Sequence, residues 1–190
     1  MFLSVFDMFK VGVGPSSSHP IGPMVAAARF LDHLRALPFQ VAGLRASLHG
    51  SLAFTGIGHA TDRAVILGLA GFRAEDYDAD RAEAELARIA QEKTVVFEGR
   101  SLTFDPKDDL IFDYGPPLPG HANGMVLRGL DPQGDVVTEV TYYSIGGGFV
   151  LTADEVAAGK ATDDGPPVPY PFKSAAKMLE MAARSGLSIA

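Results

Sequence analysis

Apolar positions in this chain switch between helical and strand spacing, and the switches mark out its elements. Met24, Ala27, Ala28, Leu31 and Leu34 recur at helical spacing, behind Pro23 and ahead of Pro38. That spacing predicts an amphipathic helix from Pro23 to Leu37. Leu44, Ala46 and Leu48 then alternate with Arg45, Ser47 and His49, the period of a half-buried strand. Thr55-Gly56-Ile57-Gly58-His59 reads as a glycine turn. Thr61 or Asp62 is the candidate cap of a helix reaching Leu69, apolar nearly all round and therefore buried. From Asp78 to Gln91, Ala79, Ala82, Leu86 and Ile89 share one face while Asp80, Arg81, Glu83 and Arg88 share the other.

Short strand patterns follow at Thr94–Phe97, Ser101–Phe104 and Leu110–Phe112. Met125–Leu130 and Val136–Ile145 flank the turn Asp131-Pro132-Gln133-Gly134 and read as a hairpin. Gly146-Gly147-Gly148 interrupts the pairing before Phe149–Leu151 resumes it. From residue 157 the composition shifts to Ala, Gly, Asp and Pro, as in a linker, and Ser174 is placed to cap a last helix. That helix carries Ala175, Met178, Leu179 and Ala182 on one face. Strands and helices mix without strict βαβ alternation, so the expected class is α+β.

With 190 residues the chain suits one ordinary domain with a tail. The balance of 47% hydrophobic and 21% charged residues is that of a globular protein, and the net charge of −7 argues against nucleic acid or an anionic membrane as partner. There is no cysteine, which removes disulfides, a thiol nucleophile and thiolate ligands for zinc or iron–sulfur from this chain's own chemistry. The first residues lack the basic and apolar regions of a signal peptide, and a cytoplasmic location is expected.

Three loops could carry chemistry. Gly14-Pro15-Ser16-Ser17-Ser18-His19 sets hydroxyls and backbone N–H groups before a helix, which suits an anion, with His19 able to move protons near neutral pH. A solvated loop that only caps the helix is the bland alternative. Gly56-Ile57-Gly58-His59 lets backbone approach a ligand closely but lacks the lysine of a phosphate loop. An ordinary strand-to-helix turn explains it equally well. His121-Ala122-Asn123-Gly124 is first a turn signal; if it meets the other loops, Asn123 could bond a carboxylate or amine. His49 reads as a polar-face strand residue and His33 as an exposed helix residue.

Several of these segments together resemble one family. Ser4 to His19, His49-Gly50-Ser51-Leu52-Ala53, Thr55 to His59 with Thr61-Asp62, and Asn123-Gly124-Met125 occur in order. Tyr142 to Phe149 and Pro169-Tyr170-Pro171-Phe172-Lys173-Ser174 complete the set. The pattern strongly resembles the β domain of the bacterial iron–sulfur L-serine dehydratases, also called L-serine deaminases. The resemblance implies a mixed sheet with helices packed on one face, similar to the allosteric substrate-binding domain of phosphoglycerate dehydrogenases. It implies a division into a β domain (1–156), a linker (157–172) and the truncated start of an α domain (173–190).

It also implies a lyase that converts L-serine to pyruvate and ammonia without pyridoxal phosphate, using a [4Fe–4S] cluster held by an α catalytic domain or subunit. His19 and His59 match the family's active-site histidines. Ser16, Ser17, Ser18, Asn123 and Gly124 match segments that meet substrate. A homodimer is expected, and this chain alone is expected to be inactive. Pro20, where threonine is more usual, removes a donor and a hydroxyl, and Ala122 occupies a variable position. The competing expectation is a non-catalytic regulatory or oligomerisation module that binds L-serine or another small anion.

Overall fold

A computed structural model describes residues 14, 16–159, 169–172 and 174–188. The Ser4–Val13 part of the family pattern, Pro15, Lys173 and most of the expected linker (160–168) lie outside the described residues.

The expected α+β class is what the chain adopts: among the described residues, a mixed seven-stranded sheet with six α-helices. A π-helical turn, Ser17–Ile21, leads into α1 (Gly22–Arg35). Then come β1 (Gly43–Gly50), α2 (Ser51–Thr55), α3 (Thr61–Leu69) and α4 (Ala79–Glu92). β2 (Thr94–Phe97), β3 (Arg100–Thr103) and β4 (Leu110–Asp113) precede the long hairpin of β5 (Asn123–Leu130) and β6 (Val136–Gly146). β7 (Phe149–Thr152), α5 (Ala153–Ala157) and α6 (Ala175–Ser185) complete the described elements. The sheet order is β2-β3-β1-β5-β6-β7, with β4 also paired to β1. β1 runs parallel to β3 and β4 and antiparallel to β5.

The strand period decides what each sheet face carries. Leu44, Ala46 and Leu48 of β1 join Met125 and Leu127 of β5 in the core, with Ala27, Phe30 and Leu31 of α1 and Val65 and Leu69 of α3. Each large side chain fully removed from water contributes about 1.5–3 kcal/mol. The α1–α3 contact is backbone-close: a Cβ on Gly68 would lie 2.6 Å from the Met24 carbonyl oxygen. On the opposite face the alternating residues are Arg45, Ser47 and His49. The loop after β4 folds over that end, with Leu118 against Gly124 and the Gly120 N–H donating to the Tyr143 hydroxyl at 3.2 Å. No described helix is long and apolar enough to cross a membrane.

Four local expectations change. The expected glycine turn at Thr55–His59 is a 3-10 turn, Ile57–His59, and before it stands a short helix, α2, that was not expected. Five helical residues are too few to show a 3.6-residue period. Neither Thr61 nor Asp62 caps α3: the capping position is Ala60, in the left-handed region at φ 59°, and no side chain bonds the helix start. Thr61 is fully buried inside the first turn, and its hydroxyl has no hydrogen-bond partner among the described residues. Helix α5 carries a capping box between Thr152 and Glu155, a signal present in the sequence but too short to stand out. In α6, Ser174 does cap through the Lys177 N–H, but Leu179 points away from Met178, Met181 and Ala182, which share a hollow with Tyr170 and Phe172.

Candidate active site

The serine loop forms a π-helical turn with Pro20 inside it, a residue that offers no N–H of its own. The turn closes with the Gly22 N–H on the Ser17 carbonyl, a wider loop than an α-turn, and single π-turns of this kind are frequent at functional sites. Pro20 is buried there. Ser16 forms no side-chain cap; its hydroxyl pairs with Ser18 Oγ at 3.2 Å. The reading of this loop as a simple helix cap is therefore overturned. His19 lies inside the turn, with Nδ1 3.1 Å from Ser18 Oγ.

The second segment starts where β1 ends. Gly50 sits at φ 56° and ψ −131°, a conformation suited to glycine, and turns the chain from strand directly into α2. Ser51 and Thr55 then stand one helical turn apart, and both reach His19. His19 Nε2 is 2.9 Å from Thr55 Oγ1 and 3.2 Å from Ser51 Oγ. The Thr55 hydroxyl donates to the Ser51 carbonyl at 2.8 Å, so it accepts the proton that His19 carries on Nε2. His19 Nδ1 is then the acceptor from Ser18.

His59 faces this ring, with centroids 4.7 Å apart and planes 35° apart. Its Nδ1 lies 2.9 Å from the Thr55 carbonyl oxygen, which only accepts, so Nδ1 carries the proton and Nε2 carries the lone pair. A Cβ on Gly14 would come within 2.8 Å of the His59 carbonyl, so the serine loop and the His59 turn touch through backbone. Burial, reinforced by the neighbouring His59 and opposed by a hydrogen bond at the Ser51 backbone, holds the His19 pKa below its usual 6.5. His19 is accordingly held in its neutral form near pH 7.

The third segment meets the other two. The Ser51 N–H donates to the Ala122 carbonyl at 2.8 Å, and Asn123 Nδ2 donates to the Ser144 carbonyl at 3.2 Å. Ser144, 2% exposed, donates its hydroxyl to the Ser18 carbonyl at 2.7 Å. The Gly147 N–H donates to Ser17 Oγ at 3.2 Å. Ser16, Ser17, Ser18, His19, His59 and Asn123 are thus linked through direct contacts or one intermediary. Gly124 is buried in the β1–β5–β6 ladder beneath Leu118, one residue behind this rim. Asn123 and Gly124 form the first pairs of a strand rather than a turn.

Sequence reasoning missed Ser51, Thr55 and Ser144 as parts of this site. A signal existed for Ser144, since period-two alternation puts it on the inward face of β6 with Tyr142. There Gly22 leaves room for it: a Cβ on Gly22 would overlap Ser144 Oγ. His33 is also less exposed than expected, stacked on Phe30 with Nε2 2.8 Å from Thr138 Oγ1.

A second polar cluster lies under the loop on the other sheet face. His49 Nε2 is 3.0 Å from Ser47 Oγ, and Nδ1 is 3.5 Å from an Asp113 carboxylate oxygen. Arg128 donates to the same serine hydroxyl at 3.0 Å. With Ser47 4% and His49 9% exposed, this cluster ties β1 to β4 and β5 and offers no open nucleophile. Burial outweighs Asp113 there and holds the His49 pKa below 6.5.

No group of three or more His, Cys, Asp or Glu side chains among the described residues is arranged to hold a metal ion, and the chain has no cysteine. The donors of this chain do not fit an iron–sulfur cluster. What the arrangement offers is one imidazole with a free lone pair beside a second, neutral imidazole, next to a hydroxyl-rich turn. That set suits proton abstraction from a small polar molecule.

The sequence model of the serine dehydratase beta chain matches residues 4–155. The L-serine dehydratase of Streptomyces coelicolor is 42% identical over 192 residues, covering 100% of this chain and 42% of that protein. The L-serine dehydratase of Helicobacter pylori strain 26695 is 41% identical over 188 residues, covering 98% and 41%. L-serine dehydratase 1 of Escherichia coli is 40% identical over 190 residues, again covering 98% and 41%. The chain spans about two-fifths of the length of these relatives.

Proposed function

Because this chain belongs to the serine dehydratase beta chain family, we propose that it supplies the proton-transfer pair of an L-serine ammonia-lyase. An α part, corresponding to the relatives' remaining length, completes that enzyme. The reaction is an α,β-elimination: the Cα proton leaves, the Cα–H electron pair becomes the Cα=Cβ bond, and the β-hydroxyl departs. The aminoacrylate product tautomerises to an imine and takes up water to give pyruvate and ammonia.

The observation that carries this reading is the fixed tautomer of His59. Its Nδ1–H is committed to the Thr55 carbonyl, which leaves Nε2 as the base for the Cα proton. His19 stays neutral at 4.7 Å, so a newly formed imidazolium on His59 meets no like charge. Ser16, Ser17 and Ser18 supply hydroxyls suited to the substrate carboxylate, with Asn123 beside them and Gly124 supporting that rim from within β5. The [4Fe–4S] cluster belongs to the α part in this reading, since this chain has no ligands for it. The 190-residue chain alone is then inactive. Residues 1–156 form the β domain, 157–172 the linker and 173–190 the start of the α part. A cytoplasmic homodimer is carried over on the family resemblance.

The test is turnover of L-serine by the complete enzyme with His59→Ala or His19→Ala. A well-placed acid–base group contributes about 10²–10⁴-fold, so each variant should lose at least ~100-fold in pyruvate formation. A loss below ~10-fold in both would remove the proton-transfer role.

A further inference from the structure

Beside the two imidazoles the surface is apolar in a way the rest of this chain does not explain. Phe54 and Ile57 flank Thr55, the residue that holds His19, yet they are 64% and 68% exposed. Tyr114, 56% exposed, meets Phe54 edge-on with ring centroids 5.3 Å apart. Two exposed aromatic rings kept in contact form a preformed anchor of the kind that dominates protein interfaces.

Gly58 adds an independent observation. It lies in a 3-10 turn with ordinary helical backbone, and a Cβ placed there would meet no atom within 4 Å. Neither backbone conformation nor space within the described chain calls for glycine at this position. A surface that comes close to the backbone between Ile57 and His59 would.

We propose that Phe54, Tyr114, Ile57 and Gly58 form the docking surface for the α part of the enzyme. The relatives say what stands there. More than half of each relative's length lies outside the region this chain matches, and the family is named as a beta chain. The inference rests on the proposed function in one respect: a patch carried on α2 and the turn that holds His59 seats the α part next to the histidine pair. A partner docked on this patch brings its own groups toward the free Nε2 of His59.

Hydrogen–deuterium exchange on residues 51–59 and 112–120 tests this, comparing the 190-residue chain with the complete enzyme. Docking predicts exchange at least ~10-fold slower in the complete enzyme. That protection should be lost, and turnover reduced at least ~10-fold, in Phe54→Ser/Tyr114→Ser and in Gly58→Leu. All these positions are exposed, so the melting temperature of the 190-residue chain should hold in both variants.

Equal exchange rates in the two proteins overturn the proposal, as does protection that survives both variants. Exchange that slows with concentration in the chain alone would assign the patch to a second copy and overturn it as well. The two readings fail separately. Protection with an unimpaired His59→Ala enzyme removes the proton-transfer role and leaves the docking surface. A dead His59→Ala enzyme without protection removes the docking surface alone.

Discussion

Replacing Gly50 by alanine perturbs the hinge on which the site is built, and its cost follows from two independent features. At φ 56° and ψ −131° an L side chain is strained, and such strain costs about 1–3 kcal/mol. The new Cβ would also lie 2.4 Å from the Ala122 carbonyl oxygen, which has to move. Forced displacement in a packed site costs a further ~1–3 kcal/mol. That carbonyl accepts the Ser51 N–H at 2.8 Å, so relief of the clash weakens the bond that holds α2 against β5. A loss of about 2–6 kcal/mol is expected. For a domain of this size each kcal/mol moves the melting temperature by about 2–4 °C, which puts the shift at ~4 °C or more. Differential scanning calorimetry of the 190-residue chain reads it, with Gly58→Ala as the control expected to show no loss, since its backbone and surroundings admit a side chain. A Gly50→Ala melting temperature within ~2 °C of the parent would refute the claim that this turn requires glycine.

Three further outcomes follow from the same contacts. Ser144→Ala leaves the Ser18 carbonyl without its 2.7 Å donor and should cost about 1–3 kcal/mol in urea unfolding; a change under ~0.5 kcal/mol would show that the latch does not hold the serine loop. Gly68→Ala should destabilise by about 1–3 kcal/mol, despite alanine's better helix propensity, because its Cβ meets the Met24 carbonyl at 2.6 Å; a gain in stability would contradict the close α1–α3 contact. Acid should weaken the fold first through two histidines. His19 and His49 have depressed folded pKa values, so the unfolded chain takes up protons first and stability falls as pH drops through 6.5. Carboxylates held low by their partners, such as Glu85 and Glu155, add their loss only below about 4.5. A melting temperature that is flat from pH 7 to 5, or a slope unchanged by His49→Gln, would refute this assignment.

The parts of the fold that could be read in advance are those where one period runs long enough to be seen. The alternation from Leu44 to His49 and the hairpin of β5 and β6 are of this kind, and so is the stripe from Met24 to Leu34 in α1. Helix α2 escaped because only five residues separate Gly50 from Gly56 and their spacing imitates a loop. That error concealed Ser51 and Thr55, whose i, i+4 relation on α2 is what fixes His19. His19 and His59 stood out as residue types in glycine- and serine-rich segments, but their 4.7 Å contact depends on long-range packing of Gly14 and α2 that no local pattern encodes. Ser144 shows the reverse: a polar residue in an inward strand position is a legible anomaly, and its partner is supplied by the turn before α1.

The central claim is that His59 Nε2 of this chain takes the substrate's α-proton. His59→Asn isolates it, since an asparagine amide can still donate to the Thr55 carbonyl in place of Nδ1 while no base remains where Nε2 stood. The decisive measurement is single-turnover pyruvate formation from L-serine by the complete enzyme carrying that substitution. The rate should fall at least ~100-fold below the parent, with the melting temperature of the domain preserved. A rate within ~10-fold of the parent would contradict the claim.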